Sequence, residues 1–378
     1  MFVIGFLVTR NLYHLNQLSK RVIFAILLSI AGFLLFPLHL GFQKPVIEGF
    51  FKPLYDILTW GDLPYNQFPS LHISLGLLFW HVMHHYLQRP IYKILNMLLF
   101  FAIGLSTLTT YQHHVIDIPG GVLVGLLSLY FFPNHTQENH YCDDQSKLLK
   151  IGGSYAVLAI VLWFIAAYYG SWLWCFAYPA LTFTLVAAAY CFKSHDFTQK
   201  QAGFFPAITL FFLGPYLIIV KIVWYFYARN NKALVGVTER IYFGRRLSQA
   251  EFASLSKYPT SVILDLAPEI STRITAKELQ YTYVPLLDFV HPNHLWLLRV
   301  SKEIAAAVAR QKVIYIQCTF GSFRSVIAVG AYLVSTGQSV ERVAAILKER
   351  SPLLWNDTLA QILTQFQVTL DSLESPGC

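Results

Sequence analysis

Charge is scarce in this sequence: of 378 residues only 13% are Asp, Glu, Lys or Arg, whereas 55% are hydrophobic. That is too little polar side chain to clothe a water-soluble globule of this length, and it points to the bilayer. Cysteine is scarce too. Cys142, Cys175, Cys191, Cys318 and Cys378 include no CxxC pair, which argues against a disulfide framework or a zinc site, and only Cys318 has an informative context. Long basic runs are missing. The net charge is +8, but Lys and Arg stand in short clusters between apolar runs, the pattern of cytoplasmic anchoring rather than of nucleic-acid binding. Residues 1–9 lack a basic leader and a small-residue cleavage site, so they read as an interfacial stub or the tail of a helix, not as a signal peptide. There is no internal repeat and no low-complexity tract.

What the sequence has instead is a series of apolar runs up to about residue 228, followed by ordinary globular alternation. Candidate spans are 22–40, 71–88, 91–110, 115–132, 151–168 and 172–192. Each approaches the roughly 20 residues that an apolar helix needs to cross the hydrocarbon. Arg10, Lys20 and Arg21 before the first span, and Arg89 and Lys93 after the second, place those segments inside. Residues 41–70 and the junction at His113 then share the outer face. The stretch 203–228 is long enough to cross, but Gly214 and Pro215 interrupt it, Lys221 lies inside it and basic residues flank both ends (Lys193 and Lys200 before it, Arg229 and Lys232 after it). A helix-break-helix in the cytoplasmic interface fits these facts, and a crossing is the alternative. The expected organisation is an all-α polytopic membrane domain (1–200), an interfacial or membrane-crossing connector (201–234) and an α/β domain (235–378) with a central sheet flanked by helices. In that last part, strands are expected near 241–243, 261–266, 281–287 and 313–317, and helices near 293–310, 324–335 and 340–350.

The sharpest local signal is Cys318-Thr319-Phe320-Gly321-Ser322-Phe323-Arg324-Ser325, set between an apolar strand and an apolar helix. A thiolate nucleophile belongs where backbone N–H groups at a helix N-terminus stabilise it and bind an incoming phosphate. Five intervening residues let the loop curl so that Arg324 grips the equatorial oxygens, and Gly321 permits the turn. Asp288, in a loop after a strand, is the candidate acid for the leaving group, and Ser325 can hydrogen-bond the thiolate. These residues resemble the dual-specificity branch of the protein tyrosine phosphatases, with CxxGxxRS intact and an aspartate about thirty residues upstream. The resemblance covers roughly 238–366. It implies a cysteine-dependent phosphatase with Cys318 as nucleophile, Arg324 as phosphate binder, Asp288 as general acid and Ser325 as helper. The loop positions Thr319, Phe320, Gly321, Ser322 and Phe323 would cradle the phosphate. Gln317 stands where the family usually has His, and no lysine occupies the loop, which disfavours a polyphosphoinositide.

A second group comprises Pro69-Ser70-Leu71-His72 and the run from Ser106 to Asp117. His113 and Asp117 are four apart, so on a helix the carboxylate can orient the imidazole. His113 can then attack phosphorus while His72 protonates the leaving oxygen and Ser70 holds phosphate, with no metal or other cofactor. These motifs resemble the type 2 phosphatidic acid phosphatase superfamily, whose pattern is PSxH followed by SRx5Hx3D. Thr107 occupies the arginine position, and the family's first motif survives only loosely as Lys44, a phosphate-binding candidate, followed by Lys52-Pro53. That pattern is similar to the inositol phosphorylceramide synthase branch, and it implies lipid phosphate hydrolysis or phosphotransfer. The whole chain resembles bacterial fusions of these two families, which implies an inner-membrane enzyme; the interfacial reading of 203–228 puts its C-terminal domain in the cytoplasm. Its partners would be membrane lipids and a phosphorylated protein or phospholipid substrate, not nucleic acid. Two rivals differ in class: a tether, in which only Cys318 turns over, and a non-enzymatic sensor that binds phosphate without cleaving it.

Overall fold

The computed structural model describes residues 12–41, 46–60, 65–134, 144–169, 171–231, 233–254, 260–272, 279–350 and 355–374. The chain forms two compact units, Met1–Thr136 and Gln137–Cys378. Composition changes near residue 228 and the membrane domain is expected to end at 200, but packing divides the chain earlier.

The first unit is helical: α1 (Leu12–Leu35), α2 (Lys52–Trp60), α3 (Leu71–Tyr86), α4 (Pro90–Thr109) and α5 (Asp117–Phe131). Of these, α1 and α4 are long and apolar enough to cross a membrane. The expected spans at 71–88 and 115–132 are shorter helices of 16 and 15 residues, about 24 Å or less in length. Ser70 caps α3 where the expected span begins, by accepting from Ile73 N, and the helix ends early, at Tyr86; α5 begins only at Asp117. Among the described residues α1 already includes Leu12, ten residues before the expected span, and takes in Arg21. That side chain is buried, with Nε donating to Phe132 O at 2.7 Å and Nη2 to Asn134 Oδ1 at 2.8 Å. It satisfies a carbonyl at the end of α5 that the helix itself leaves unpaired.

The second unit opens with α6 (Gln145–Tyr169), a 3-10 turn (Ser171–Phe176), α7 (Ala177–Cys191) and α8 (Ala207–Asn230). Helices α6 and α8 and the segment Trp172–Cys191 complete the five long, apolar helices found among the described residues. The expected break at Gly214-Pro215 does not occur. Proline removes the donor for Phe211 O, but Tyr178 Oη donates to that carbonyl at 2.7 Å and Thr182 Oγ1 donates to Phe212 O at 2.7 Å. Gly214 lets the tyrosine in, since a Cβ there would lie 2.8 Å from Tyr178 Oη.

There follow β1 (Leu234–Gly236), β2 (Ile241–Arg245), α9 (Gln249–Ser254), β3 (Thr260–Asp265), β4 (Gln280–Tyr283), α10 (His294–Ala309), β5 (Val313–Cys318), α11 (Arg324–Ser335), α12 (Val340–Arg350) and α13 (Asp357–Glu374). The sheet order is β1-β2-β5-β3-β4. All neighbours are parallel except β1 with β2. The central strand β5 is buried at every residue, as its unbroken apolar run Val313 to Ile316 requires of a strand covered on both faces. Helix α11 is buried from Arg324 to Val334, and its core neighbours include Ile314, Ile316, Leu359 and Phe366.

Candidate active sites

Strand β5 ends on Cys318 and α11 begins on Arg324. Loop 318–324 therefore sits at the C-terminal edge of a parallel strand and at a helix N-terminus, where unpaired N–H groups and the helix dipole favour an anion. Gly321 N donates to Cys318 Sγ at 3.2 Å, and Ser325 Oγ lies 3.6 Å from the same sulfur. Gly321 has φ +72°, and a Cβ on it would come within 2.4 Å of Arg245 N. Gly321→Ala is accordingly expected to cost about 1–3 kcal/mol from backbone strain alone and to displace the loop. A lowered melting temperature together with lost turnover checks this, and wild-type turnover in the variant would refute it.

Arg324 is buried. Its Nη1 donates to Glu269 Oε2 at 3.0 Å and to Leu286 O at 2.9 Å, and its Nη2 donates to Glu269 Oε1 at 2.5 Å. The same Nη2 stands 3.3 Å from Thr319 Oγ1 and 3.2 Å from Asp288 Oδ1. Thr319 also donates to Glu269. Burial by itself would raise the Glu269 carboxyl, but the Arg324 charge, its hydrogen bonds and the bond from Thr319 together hold it below the usual range. A charged carboxylate thus orients the guanidinium bidentately. Sequence reasoning missed Glu269. The available signal was an acid placed just past the C-terminal end of β3, the strand that pairs with β5. Asp288 behaves oppositely: burial raises its carboxyl, Glu269 pushes it further, and Arg324 and the Phe289 N–H only partly offset this. Of the remaining loop residues, Phe320 packs edge-on to Tyr227 with centroids 5.1 Å apart, Phe323 lies 6.0 Å from the His291 ring, and Ser322 is exposed.

Beneath this site lies a buried polar cluster. Asp265 Oδ2 accepts from Lys200 Nζ at 2.7 Å, Tyr281 Oη at 2.7 Å and Thr272 Oγ1 at 3.0 Å. Gln317, at the position usually held by His, donates to Thr272 Oγ1 at 2.6 Å. Lys200 Nζ also donates to Ala267 O and to Ile270 O, the carbonyls on either side of Glu269. The segment between α7 and α8 makes further contacts: Thr198 Oγ1 donates to Pro268 O at 2.8 Å, His195 Nδ1 accepts from Leu287 N at 3.3 Å, and Tyr283 Oη donates to Asp196 at 3.0 Å. At the end of α7, Tyr190 Oη donates to Asp288 O at 3.4 Å.

In the first unit, His72 Nδ1 lies 3.2 Å from His113 Nε2. His113 Nδ1 stands 3.1 Å from Gln67 O and 3.5 Å from Asp117 Oδ2, and both His113 and Asp117 are buried. The glycines of α5 allow this approach: a Cβ on Gly121 would sit 2.4 Å from Ser70 O, and one on Gly120 would sit 2.5 Å from Phe68. Ser70 caps α3, with its N donating to Asp117 O at 3.2 Å. Thr107 donates to Gly104 O within its own helix at 2.8 Å, so it supplies no cation at the family's arginine position. Lys44 lies outside the described residues. An apolar cavity of about 500 Å³ opens from His72 between α3, α4 and α5, lined by Gly76, Trp80, Phe100 and Gly104.

Residues 3–141 match the PAP2 superfamily, and residues 241–369 match the dual specificity phosphatase, catalytic domain. No curated protein matches the chain. Among solved structures, human DUSP28 is 18% identical over 37% of this chain and 97% of its own, with TM-score 0.33. Tk-PTP in its active form is 17% identical over 36% and 97%, with TM-score 0.33. PTPMT1 in complex with PI(5)P is 12% identical over 38% and 99%, with TM-score 0.35. The chain joins a PAP2 superfamily domain to a dual specificity phosphatase catalytic domain.

Proposed function

We propose that this protein is a membrane-bound phosphatase in which Cys318 hydrolyses a phosphomonoester through a phosphocysteine. We propose further that His113, His72 and Asp117 form a separate lipid-phosphate phosphatase or phosphotransferase site. The observation that carries the first part is convergence: the Cys318 thiol, the Arg324 guanidinium and the Asp288 carboxyl meet in one loop cluster at the end of β5. The Cys318 thiolate attacks phosphorus, an S–P bond forms, and the P–O bond to the leaving group breaks as Asp288 gives that oxygen its proton. Arg324, held by Glu269, grips the equatorial oxygens. Water then attacks phosphorus and gives a proton to Asp288. The S–P bond breaks, orthophosphate leaves, and the Ser325 hydroxyl stabilises the departing thiolate. The substrate of this site is a phosphorylated protein side chain or a phospholipid.

At the second site His113 Nε2 is the attacking atom. Asp117 and Gln67 O hold its Nδ1 side, which favours the tautomer with its proton on Nδ1 and the Nε2 lone pair facing His72 Nδ1. His72 protonates the leaving oxygen, and the apolar cavity beside it suits an acyl chain. The basic residues around α1, α3 and α4 favour a cytoplasmic C-terminal unit, with this second site on the opposite face.

The test is phosphate release by the detergent-purified full chain from an aryl phosphate and from phosphatidic acid. Cys318→Ser is expected to abolish the aryl activity and the trapped phosphoenzyme, and His113→Ala to abolish a lipid activity that survives Cys318→Ser. If His113→Ala changes neither, the first unit is an anchor. If no phosphoenzyme forms at Cys318, the chain binds phosphate without cleaving it.

A further inference from the structure

Helix α8 is apolar apart from Thr209, Lys221 and its last two residues, Arg229 and Asn230, and its two faces have different surroundings. Phe212, Leu213, Tyr216, Leu217 and Trp224 are buried within the second unit. On the opposite face Phe211, Ile218, Ile222, Tyr225 and Phe226 are each between 51% and 62% exposed. Such a stripe on a helix neighbouring α6 and α7 calls for lipid contact.

Both ends of α8 are fastened to the same catalytic domain. Near its start, Thr209 Oγ1 donates to Thr198 O at 2.8 Å and Thr198 Oγ1 donates to Pro268 O at 2.8 Å. Just before it, Gly203 O accepts from Thr272 N at 2.8 Å. Near its end, Trp224 Nε1 donates to Arg246 O at 3.2 Å under the Arg246 guanidinium, 4.7 Å from the ring centroid. Arg245 donates to Ala228 O at 3.2 Å and to Asn231 O at 3.1 Å. Arg246 Nε in turn donates to Ser271 O at 2.9 Å, so the two sets of anchors meet in the segment 268–272. A helix of 24 residues is about 36 Å long, more than the roughly 30 Å of hydrocarbon. Were α8 to cross, Arg245, Arg246, Glu251 and the edge of the sheet would have to cross with it, and charged groups at that depth are strongly disfavoured.

We propose that α8 lies in the plane of the membrane interface, with its Phe211–Phe226 stripe seated among lipid acyl chains and the catalytic domain carried on its other face. Lys221 stands between the two faces, where its stem covers apolar surface and its ammonium reaches lipid headgroups. Tyr227, in the last turn, packs on Phe320 of the nucleophile loop, which sets the mouth of the Cys318 pocket at the membrane surface.

The test uses the full chain, with its native cysteines replaced by serine, reconstituted in sealed vesicles. Gln201→Cys and Asn231→Cys, exposed positions flanking α8, are treated separately with a membrane-impermeant maleimide from one side. Labelling of both from the same side is expected, and labelling from opposite sides overturns the proposal. A bimane probe on Ile218→Cys or Ile222→Cys is then quenched by brominated lipids. Equal, shallow depths are expected at the two positions, whereas graded depths, or no quenching by any acyl-chain bromine, reject an in-plane helix.

Discussion

Asp288→Asn is expected to slow hydrolysis of an alkyl phosphate by roughly 10²–10⁴-fold, and to slow that of an aryl phosphate with a good leaving group far less. An alkoxide is too basic to depart without a proton, whereas a stabilised phenolate departs nearly unaided. The substitution keeps the side-chain shape and removes only the transferable proton. The pH profile adds a second readout. Burial first, and Glu269 second, hold the Asp288 carboxyl above its ordinary value against the pull of Arg324, so the proton is retained to a higher pH than an exposed aspartate would retain it. As pH rises through that raised value the acid is lost, and the wild-type rate on the alkyl substrate falls. In the variant this alkaline decline is absent. An Asn variant that loses both substrates equally and keeps the decline would assign the proton to another group.

The part of the site that follows chain order was legible in the sequence. An unbroken apolar strand, a loop with cysteine and arginine at fixed spacing and an apolar helix are consecutive, and Cys318, Gly321, Arg324 and Ser325 fall where that order puts them. His72 and His113, 41 residues apart, meet at 3.2 Å, a pairing that a two-part motif anticipates. What the sequence hid was any polar group whose partner lies far along the chain. Arg21 and Lys200 both read as topological charges, yet both are buried. One closes the end of α5, and the other reaches Asp265, 65 residues away. Glu269 carries no spacing signal because its partners Thr319 and Arg324 are 50 and 55 residues distant. The continuity of α8 was misread for a related reason: Gly214-Pro215 is a local signal for a break, and hydrogen bonds from α7 override it.

Lys200→Met is expected to destabilise the second unit by about 3–5 kcal/mol, the usual cost of leaving a buried carboxylate without its cation. The pair is fully buried at 2.7 Å, and removing the lysine also strips donors from Ala267 O and Ile270 O. Those two carbonyls flank Glu269 and fix the loop that orients Arg324, so turnover of an aryl phosphate should fall along with the melting temperature. The double variant Lys200→Met, Asp265→Leu separates the two contributions. Removing both charges eliminates the uncompensated carboxylate, so part of the stability should return. Turnover should not return, because neither new side chain can bind the carbonyls of Ala267 and Ile270. Thermal melts and steady-state rates of the wild type, Lys200→Met, Asp265→Leu and the double variant in one detergent measure both. Additive losses in the melts would mean that Lys200 and Asp265 are not energetically coupled. A double variant that regained full turnover would mean that the α7–α8 segment supports the fold without positioning Glu269 and Arg324.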